Sequence, residues 1–403
     1  MKGEAMPEKN ILLLRTNALI RRTRPMVQPG LGYLIRKAAI TLNDEPNLIL
    51  ELTLIWFRTF GCRYDRRGEC TMCNYGVAEH VNADRIVDFV QKALAESSHY
   101  EALYISPSGS FFDPFEVPPE ARRRILELAD ATDCIIFACE SRPEFLLDEV
   151  LSECAMILNK KRTNLNMGLE SANPWILHNC LGKTIDLDNF KSAADRLYNH
   201  GIRPFANILL GAPFLTEREA LDSTIQSVSW ALGNGTYMCI VFPSNVKKWT
   251  LLHWLWERGL YHAPSLWSLI EVIYALGPEV CHRVSISWYA APLSVDIPEV
   301  LYTCPGCYES VLSLLHKYRA TRDFSVIEIL RRSTCECRSE WRERMLTPDP
   351  LTPQERVATF YERIATEFLS ENWWQANKLR ILDQLVDGYT SIRWGGSKGG
   401  YIE

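Results

Sequence analysis

The sequence predicts an α/β protein: a parallel sheet with helices outside it, curled into an open or closed barrel. Between residues 50 and 245, six short apolar or β-branched runs alternate with longer stretches of helical spacing. The last helical stretch opens with Thr216 and carries Glu219 three residues on, a capping-box pattern. Three cysteines follow directly on the first run, where right-handed strand–helix repeats place the ligand-binding end of the sheet.

The runs are LTLIWF (52–57), ALYISPSG (102–109), CIIFACES (134–141), NLNMGLES (164–171), RPFANILLG (203–211) and YMCIVFPS (237–244). Between them lie ADRIVDFVQKALAE (83–96), PPEARRRILELADA (118–131), DLDNFKSAADRLYNHG (186–201) and TEREALDSTIQSVSWALG (216–233). Beyond residue 245 the rhythm changes. Segment 249–290 is rich in tryptophan, and the pairs Cys304/Cys307 and Cys335/Cys337 follow. LTPDPLTPQE (346–355) reads as a linker to a terminal helix over 356–387 and a mobile tail. The expected organisation is an N-terminal extension (1–49), a barrel core (50–245), a Cys- and Trp-rich, helical C-terminal region (246–345), and a linker, helix and tail (346–403).

Hydrophobic residues make up 47% and charged residues 23%, ordinary for a soluble globular chain. No apolar run approaches the roughly 20 residues needed to span a bilayer, so no membrane role is expected. The first residues carry only a short apolar patch, Ile11 to Leu14, without a signal-peptide pattern. The expected location is cytoplasmic. A formal charge of −5 argues against a free-standing nucleic-acid binder. Two basic groups stand out, Arg15–Arg21–Arg22–Arg24–Arg36–Lys37 and Lys160–Lys161–Arg162, either solvated surface or an RNA footprint. The tryptophans read first as core and second as stacking platforms for bases.

Thirteen cysteines in an intracellular chain point to metal ligands rather than disulfides. Cys62, Cys70 and Cys73 lie within GCRYDRRGECTMCNYG. Structural zinc wants four ligands, and the nearest histidine, His80, stands outside the usual spacing. A [4Fe–4S] cluster held by three thiolates keeps one iron open for a ligand. The competing readings are three reduced thiols, or three zinc ligands completed from elsewhere in the chain.

The run of motifs resembles the radical S-adenosylmethionine (radical SAM) family. Its common spacing is C-x3-C-x2-C with an aromatic before the third cysteine; here the first gap is seven and Met72 replaces the aromatic. The longer gap resembles the elongator-catalytic-subunit branch, and within it the radical SAM subunits of archaeosine synthases. The matching stretches are RTFGCRYDRRGECTMCNYG, SPSGSFFDP (106–114), ESRPEF (140–145), GLES (168–171), ILLGAPFLTEREA (208–220) and the element from Cys335 to Trp341.

The resemblance implies a partial (β/α)6 barrel with Cys62, Cys70 and Cys73 holding a [4Fe–4S] cluster and SAM on the fourth iron. It places Ser108, Gly109 and Ser110 at the SAM amino group. It places Glu140, Arg142, Glu170 and Ser171 about the ribose, sulfonium or carboxylate, and Leu210, Gly211 and Ala212 at the adenine edge. It implies an external electron donor and a 5′-deoxyadenosyl radical that abstracts hydrogen. In the nearest branch that radical cleaves a lysine adduct of deazaguanine in tRNA, with a separate partner enzyme attaching the lysine. Asp113 reads as a local cap or a catalytic group.

Cys304, Cys307, Cys335 and Cys337 offer four thiols, for structural zinc, a second iron–sulfur cluster or a soft substrate. The alternative function is a small-molecule or natural-product enzyme on the same scaffold. One version transfers the 3-amino-3-carboxypropyl group of SAM to a soft acceptor such as arsenite. A third reading is a metal-stabilised scaffold without catalysis.

Overall fold

Strand alternation builds a sheet with an apolar outer face and a mixed inner face. The computed structural model describes residues 9–25, 32–41, 45, 48–76, 80–107 and 109–386. The sheet has eight strands in sequential order: β1 (Tyr33–Thr41), β2 (Ile49–Phe57), β3 (Ala102–Pro107), β4 (Ile136–Ser141), β5 (Arg162–Glu170), β6 (Arg203–Leu210), β7 (Met238–Pro243) and β8 (Val284–Ile286). β1 pairs antiparallel to β2, and every later pairing is parallel. β2 to β7 are the six runs legible in the sequence. Two edge strands extend the expected six-stranded half-barrel.

Along β5, Leu165, Met167 and Leu169 turn outward and pack on the helices Leu187–Asn199 and Asp148–Ile157 through Phe190, Leu197, Leu151 and Cys154. Asn164, Asn166, Gly168 and Glu170 face inward onto a cavity of about 800 Å³. The same period of two sets Ala138 and Glu140 of β4, and Phe205, Asn207 and Leu209 of β6, on the cavity wall. The helix Glu217–Gly233 starts at the capping box anticipated at Thr216 and Glu219. A second such box, Thr352 with Glu355, opens Pro353–Phe368. Cys134, Cys139, Cys154, Cys180, Cys239 and Cys281 are buried thiols within apolar packing.

The open side of the sheet, between β1 and β8, is spanned by the C-terminal region. The helix Tyr308–Thr321 packs on β1. Its fully buried Tyr318 donates its hydroxyl to the carbonyls of Val284 in β8 (2.8 Å) and Cys281 (3.1 Å). Arg322, just past the helix, donates to the Thr41 carbonyl at the end of β1.

The two ends of the described chain meet beside the cysteine loop. The helix Ile11–Arg22 packs on Pro353–Phe368, and Leu12, Leu13 and Ile20 join Cys70 and Met72 in one apolar cluster. Asn10 donates to the Tyr361 hydroxyl, which donates in turn to the Asn179 carbonyl at 2.6 Å. In place of one terminal helix there are two, Pro353–Phe368 and Glu371–Val386, packed on each other. The chain turns at Leu369 and Ser370, where Ser370 adopts a positive φ of 153° that no helix continues. The expected tail lies outside the described residues. Among those described, no helix is long and apolar enough to cross a membrane.

Replacing Tyr318 with Phe removes a hydroxyl that serves two buried carbonyls. Urea unfolding is expected to show a loss of about 1–2 kcal/mol; an unchanged midpoint would mean the seal across the open edge does not need this hydroxyl.

Candidate active site

The cysteine loop leaves β2 through Gly61 at φ +93°, where a Cβ would lie 2.4 Å from the Tyr75 carbonyl. Only glycine fits both constraints. The Cys62 amide donates to that same carbonyl (3.1 Å), closing the loop on itself. The longer first gap becomes one short helix, Arg63–Arg67, ended by Gly68 at φ 85°.

Within that insertion sits Asp65, fully buried. It accepts from Arg21 Nε (2.9 Å), from both terminal nitrogens of Arg24 (2.7 and 3.0 Å), and from the Gly76 amide. Two of the N-terminal arginines are thus internal struts, neither solvated surface nor an RNA footprint. Arg15 lies over Trp373 and Arg36 over Trp288.

Cys62, Cys70 and Cys73 all line the mouth of the cavity. The hydrogen bond between Cys70 and Cys73 draws Cys70 below the ordinary thiol pKa and pushes Cys73 above it. Burial pushes Cys62 up to about 12. Among the described residues, only Cys304, Cys307, Cys335 and Cys337 form a set of three or more ligand groups whose atoms all lie within 4.8 Å of one another. Cys62, Cys70 and Cys73 are not such a set, and three protein thiolates are one fewer than structural zinc takes.

Cations surround these thiols. Arg142 Nη1 lies 3.7 Å from Cys62 Sγ, and the same guanidinium is held by Asp113, Glu116 (3.2 Å) and Glu144 (3.0 Å). Burial alone would lower the Lys183 ammonium; Glu170, Cys70 and Cys73 more than offset it, so its pKa stays above the ordinary value. Lys247, bonded to the Tyr75 hydroxyl at 2.6 Å, is likewise raised against its burial by Tyr75 and Cys73. Positive charge near thiolates favours their ionised, metal-binding form.

The other expected residues divide. Gly109, Glu140, Arg142 and Glu170 line the cavity. Glu170 ends β5 at a bulge, with φ +63°. One of its oxygens accepts from Lys183 (2.7 Å), and the other is buried without a partner. A strained non-glycine residue with a spare buried acceptor is the kind of position that function maintains. Ser110 stands behind the wall, bonded to Ser141 (2.6 Å) and to the Arg142 amide (3.1 Å).

Besides Ser110, four expected residues do not line the cavity: Ser171, Leu210, Gly211 and Ala212, the last in an apolar cluster with Leu209 and Tyr261. Ser171 faces the helix Glu217–Gly233, bonding Ser223 at 3.2 Å. Leu210 packs outward in the core. Gly211, at φ +99°, makes room for Pro264, whose Cγ would meet a Cβ at 2.5 Å. Ser108 lies outside the described residues.

The sequence reading did not single out Lys183, Lys247, Asp65 or Glu116. Glu116 receives the amides of Ser110 (2.7 Å) and Arg63 (3.2 Å), and Gly109 is glycine because a Cβ there would strike its carboxylate. Burial lifts Glu116 to about 7. Asp113 acts as a hub, pairing with Arg63 and Arg142.

The second cysteine group lies elsewhere. Its sulfurs stand 3.3–3.5 Å apart in four pairs, and Trp267 Nε1 donates to Cys337 at 3.3 Å. Zinc–sulfur bonds of about 2.3 Å imply tetrahedral edges of about 3.8 Å. The set therefore fits one ion and is too tight for a cube that puts each thiolate on its own iron. None of the four is among the described residues that line the cavity.

No protein-family model matches the chain. It is 30% identical over 292 residues to archaeosine synthase subunit beta of Thermococcus kodakarensis, covering 70% of this chain and 88% of that one. It is 29% identical over 316 residues to the subunit of the same name from Methanosarcina acetivorans, covering 76% and 88%. A solved structure of Elp3 from Methanocaldococcus infernus superposes with a TM-score of 0.44 and 16% identity, covering 66% of this chain and 64% of that one. The protein is a radical SAM enzyme, of the class that works with SAM and a [4Fe–4S] cluster. Within that class, the chain belongs to the archaeosine synthase subunit beta family.

Burial pushes the Glu140 carboxyl up to about 8, with a Tyr104 hydrogen bond opposing the shift. A carboxylate raised on folding opposes the folded state as pH climbs from its unfolded value, about 4.3, toward 8. Glu140→Gln is therefore expected to gain melting temperature relative to the unmutated protein across that window and to level off above it. A constant difference from pH 5 to 9 would show Glu140 ionised throughout.

Proposed function

We propose that Cys62, Cys70 and Cys73 hold the [4Fe–4S] cluster and that the reaction is of the archaeosine-synthase type: hydrogen abstraction from a lysine adduct on a deazaguanine base of tRNA. The observation that carries the substrate is the likeness to archaeosine synthase subunit beta across 88% of that subunit. Three thiols on one loop, all lining the cavity among buried cations, support the cluster assignment. A bound cluster supplies the electron that cleaves SAM, and the resulting 5′-deoxyadenosyl radical takes the substrate hydrogen.

The chain's own residues then do the positioning. Buried Lys183, held by Glu170, and half-buried Lys247, held by Tyr75, line the cavity with positive charge that suits the SAM carboxylate. The spare oxygen of Glu170 accepts from the SAM amino group or a ribose hydroxyl. Arg142, fixed by three carboxylates, steadies Cys62. The enclosing sheet keeps water from the radical. A separate partner enzyme supplies the lysine-bearing tRNA, and an external donor supplies the electron.

Cys304, Cys307, Cys335 and Cys337 hold one structural zinc. Their distance from the cavity wall counts against a soft acceptor waiting there for an aminocarboxypropyl group.

Anaerobic turnover with SAM, dithionite and lysine-modified tRNA is expected to yield 5′-deoxyadenosine and a shortened base by mass spectrometry. Serine at any one of the three loop cysteines should abolish both products. Methylthioadenosine as the main product, or an unchanged base with every tRNA and partner tried, would contradict the reading. Metal analysis is expected to find one zinc per chain that survives loss of the loop thiols and disappears in Cys335→Ser. Zinc retained in Cys335→Ser would place it elsewhere.

A further inference from the structure

The cavity below its mouth carries polar groups to which the cluster and SAM assignments above give no role. Asn164, Asn166 and Asn207 face inward from β5 and β6, on consecutive inward rungs. Asn166 and Asn164 are more than nine-tenths buried, at 7% and 8% exposure. Asn164 Oδ1 has no partner. The side chains of Asn166 and Asn207 make no hydrogen bond with any described residue. A buried amide without a partner is costly, and such groups normally meet a ligand or ordered water. They lie three to six residues before the ends of their strands, hence deeper than Glu170 and the cysteines.

Three strands from β5 on one side and two from β6 on the other stands an aromatic wall. Trp56 of β2 and Trp288, just after β8, line the cavity with ring centroids 6.1 Å apart, and Tyr104 lies 6.0 Å from Trp56. Trp288 holds φ +59°, unusual for so bulky a residue. Its carbonyl accepts from Asn245 Nδ2 (3.1 Å), and its ring lies under Arg36 and Lys247. Strain of this kind persists where surrounding contacts impose it, and here it keeps an indole on the cavity wall.

Carboxamides both donate and accept, and carry no charge. Facing aromatic rings, they complement a flat, neutral ring with alternating donors and acceptors on its edge. We propose that the asparagine rungs and the Trp56–Trp288 wall form a nucleobase subsite inside the barrel, so that the substrate base is turned out of its strand and inserted below SAM. This rests on the reading of a base-modifying radical SAM enzyme and deepens it. Asn166 and Asn207 set specificity through the base edge, and Trp56 and Trp288 supply the stacking surface.

The test uses cluster-loaded protein with SAM and no reductant, titrated by calorimetry with 7-deazaguanine. SAM affinity is measured separately, and Asn166→Leu and Asn207→Leu are near-isosteric variants. Each variant is expected to weaken 7-deazaguanine about tenfold, the loss of one good hydrogen bond, while SAM affinity holds. Thermal melting should show neither variant less stable than the unmutated chain, because neither side chain bonds a described residue; a structural asparagine would lower it. Weakened SAM binding would assign the rungs to the SAM adenine and overturn the proposal. No binding of 7-deazaguanine by the unmutated protein up to about 1 mM would overturn it as well. Base binding retained without any affinity for tRNA would leave the subsite standing and remove the tRNA reading instead.

Discussion

One buried carboxylate organises the mouth of this enzyme. Asp65 sits at zero exposure between two guanidiniums and a backbone amide. An unpaired carboxylate there would be prohibitively expensive, and so would either arginine without it. The cysteine loop, the amide of Gly76 beyond it and the N-terminal helix are therefore obliged to adopt one arrangement together. Apolar packing of Leu12, Leu13 and Ile20 on Cys70 and Met72 reinforces it, and the C-terminal helices brace the N-terminal helix from behind. Segments far apart in sequence thus converge on the loop that carries the three thiols.

A second constraint is the closure of the barrel. An open parallel sheet exposes edges and leaks water. Here β1 extends one edge, and the helix Tyr308–Thr321 bridges to β8. The Cys304–Cys307 pair lies at the N-terminal end of that helix, so the four-thiol site anchors the element that seals the cavity. A metal there acts on the active site only through architecture, consistent with its absence from the cavity wall.

The barrel was legible because its six central strands are short apolar runs separated by amphipathic stretches, and the site because three clustered thiols lack a local fourth ligand for zinc. The edges were not. β1 reads YLIRKAAIT, with Arg36 and Lys37 interrupting the apolar pattern, as a half-exposed edge strand allows. β8 has only three residues. The electrostatics of the site were also hidden. Lys183 lies 110 residues beyond Cys73 and Lys247 still further along the chain, and nothing local to either announces that folding brings them together. Residues matched by motif, such as Ser171 and Leu210, stood beside true cavity residues, and the two-residue period of the strands sent them to the other face. Had that period been applied to GLES and ILLG, Glu170 and Leu209 would have been separated from Ser171 and Leu210 at once.

The central claim is a cluster with three protein thiolates and one open iron. The most direct measurement is the Mössbauer spectrum of protein reconstituted with iron-57, recorded without and with SAM. The account predicts that one iron of the cluster changes its isomer shift when SAM binds while the other three keep theirs, and that the change is lost with the cluster in Cys70→Ser. A spectrum in which SAM alters none of the irons, or in which all four are already thiolate-bound, would contradict it.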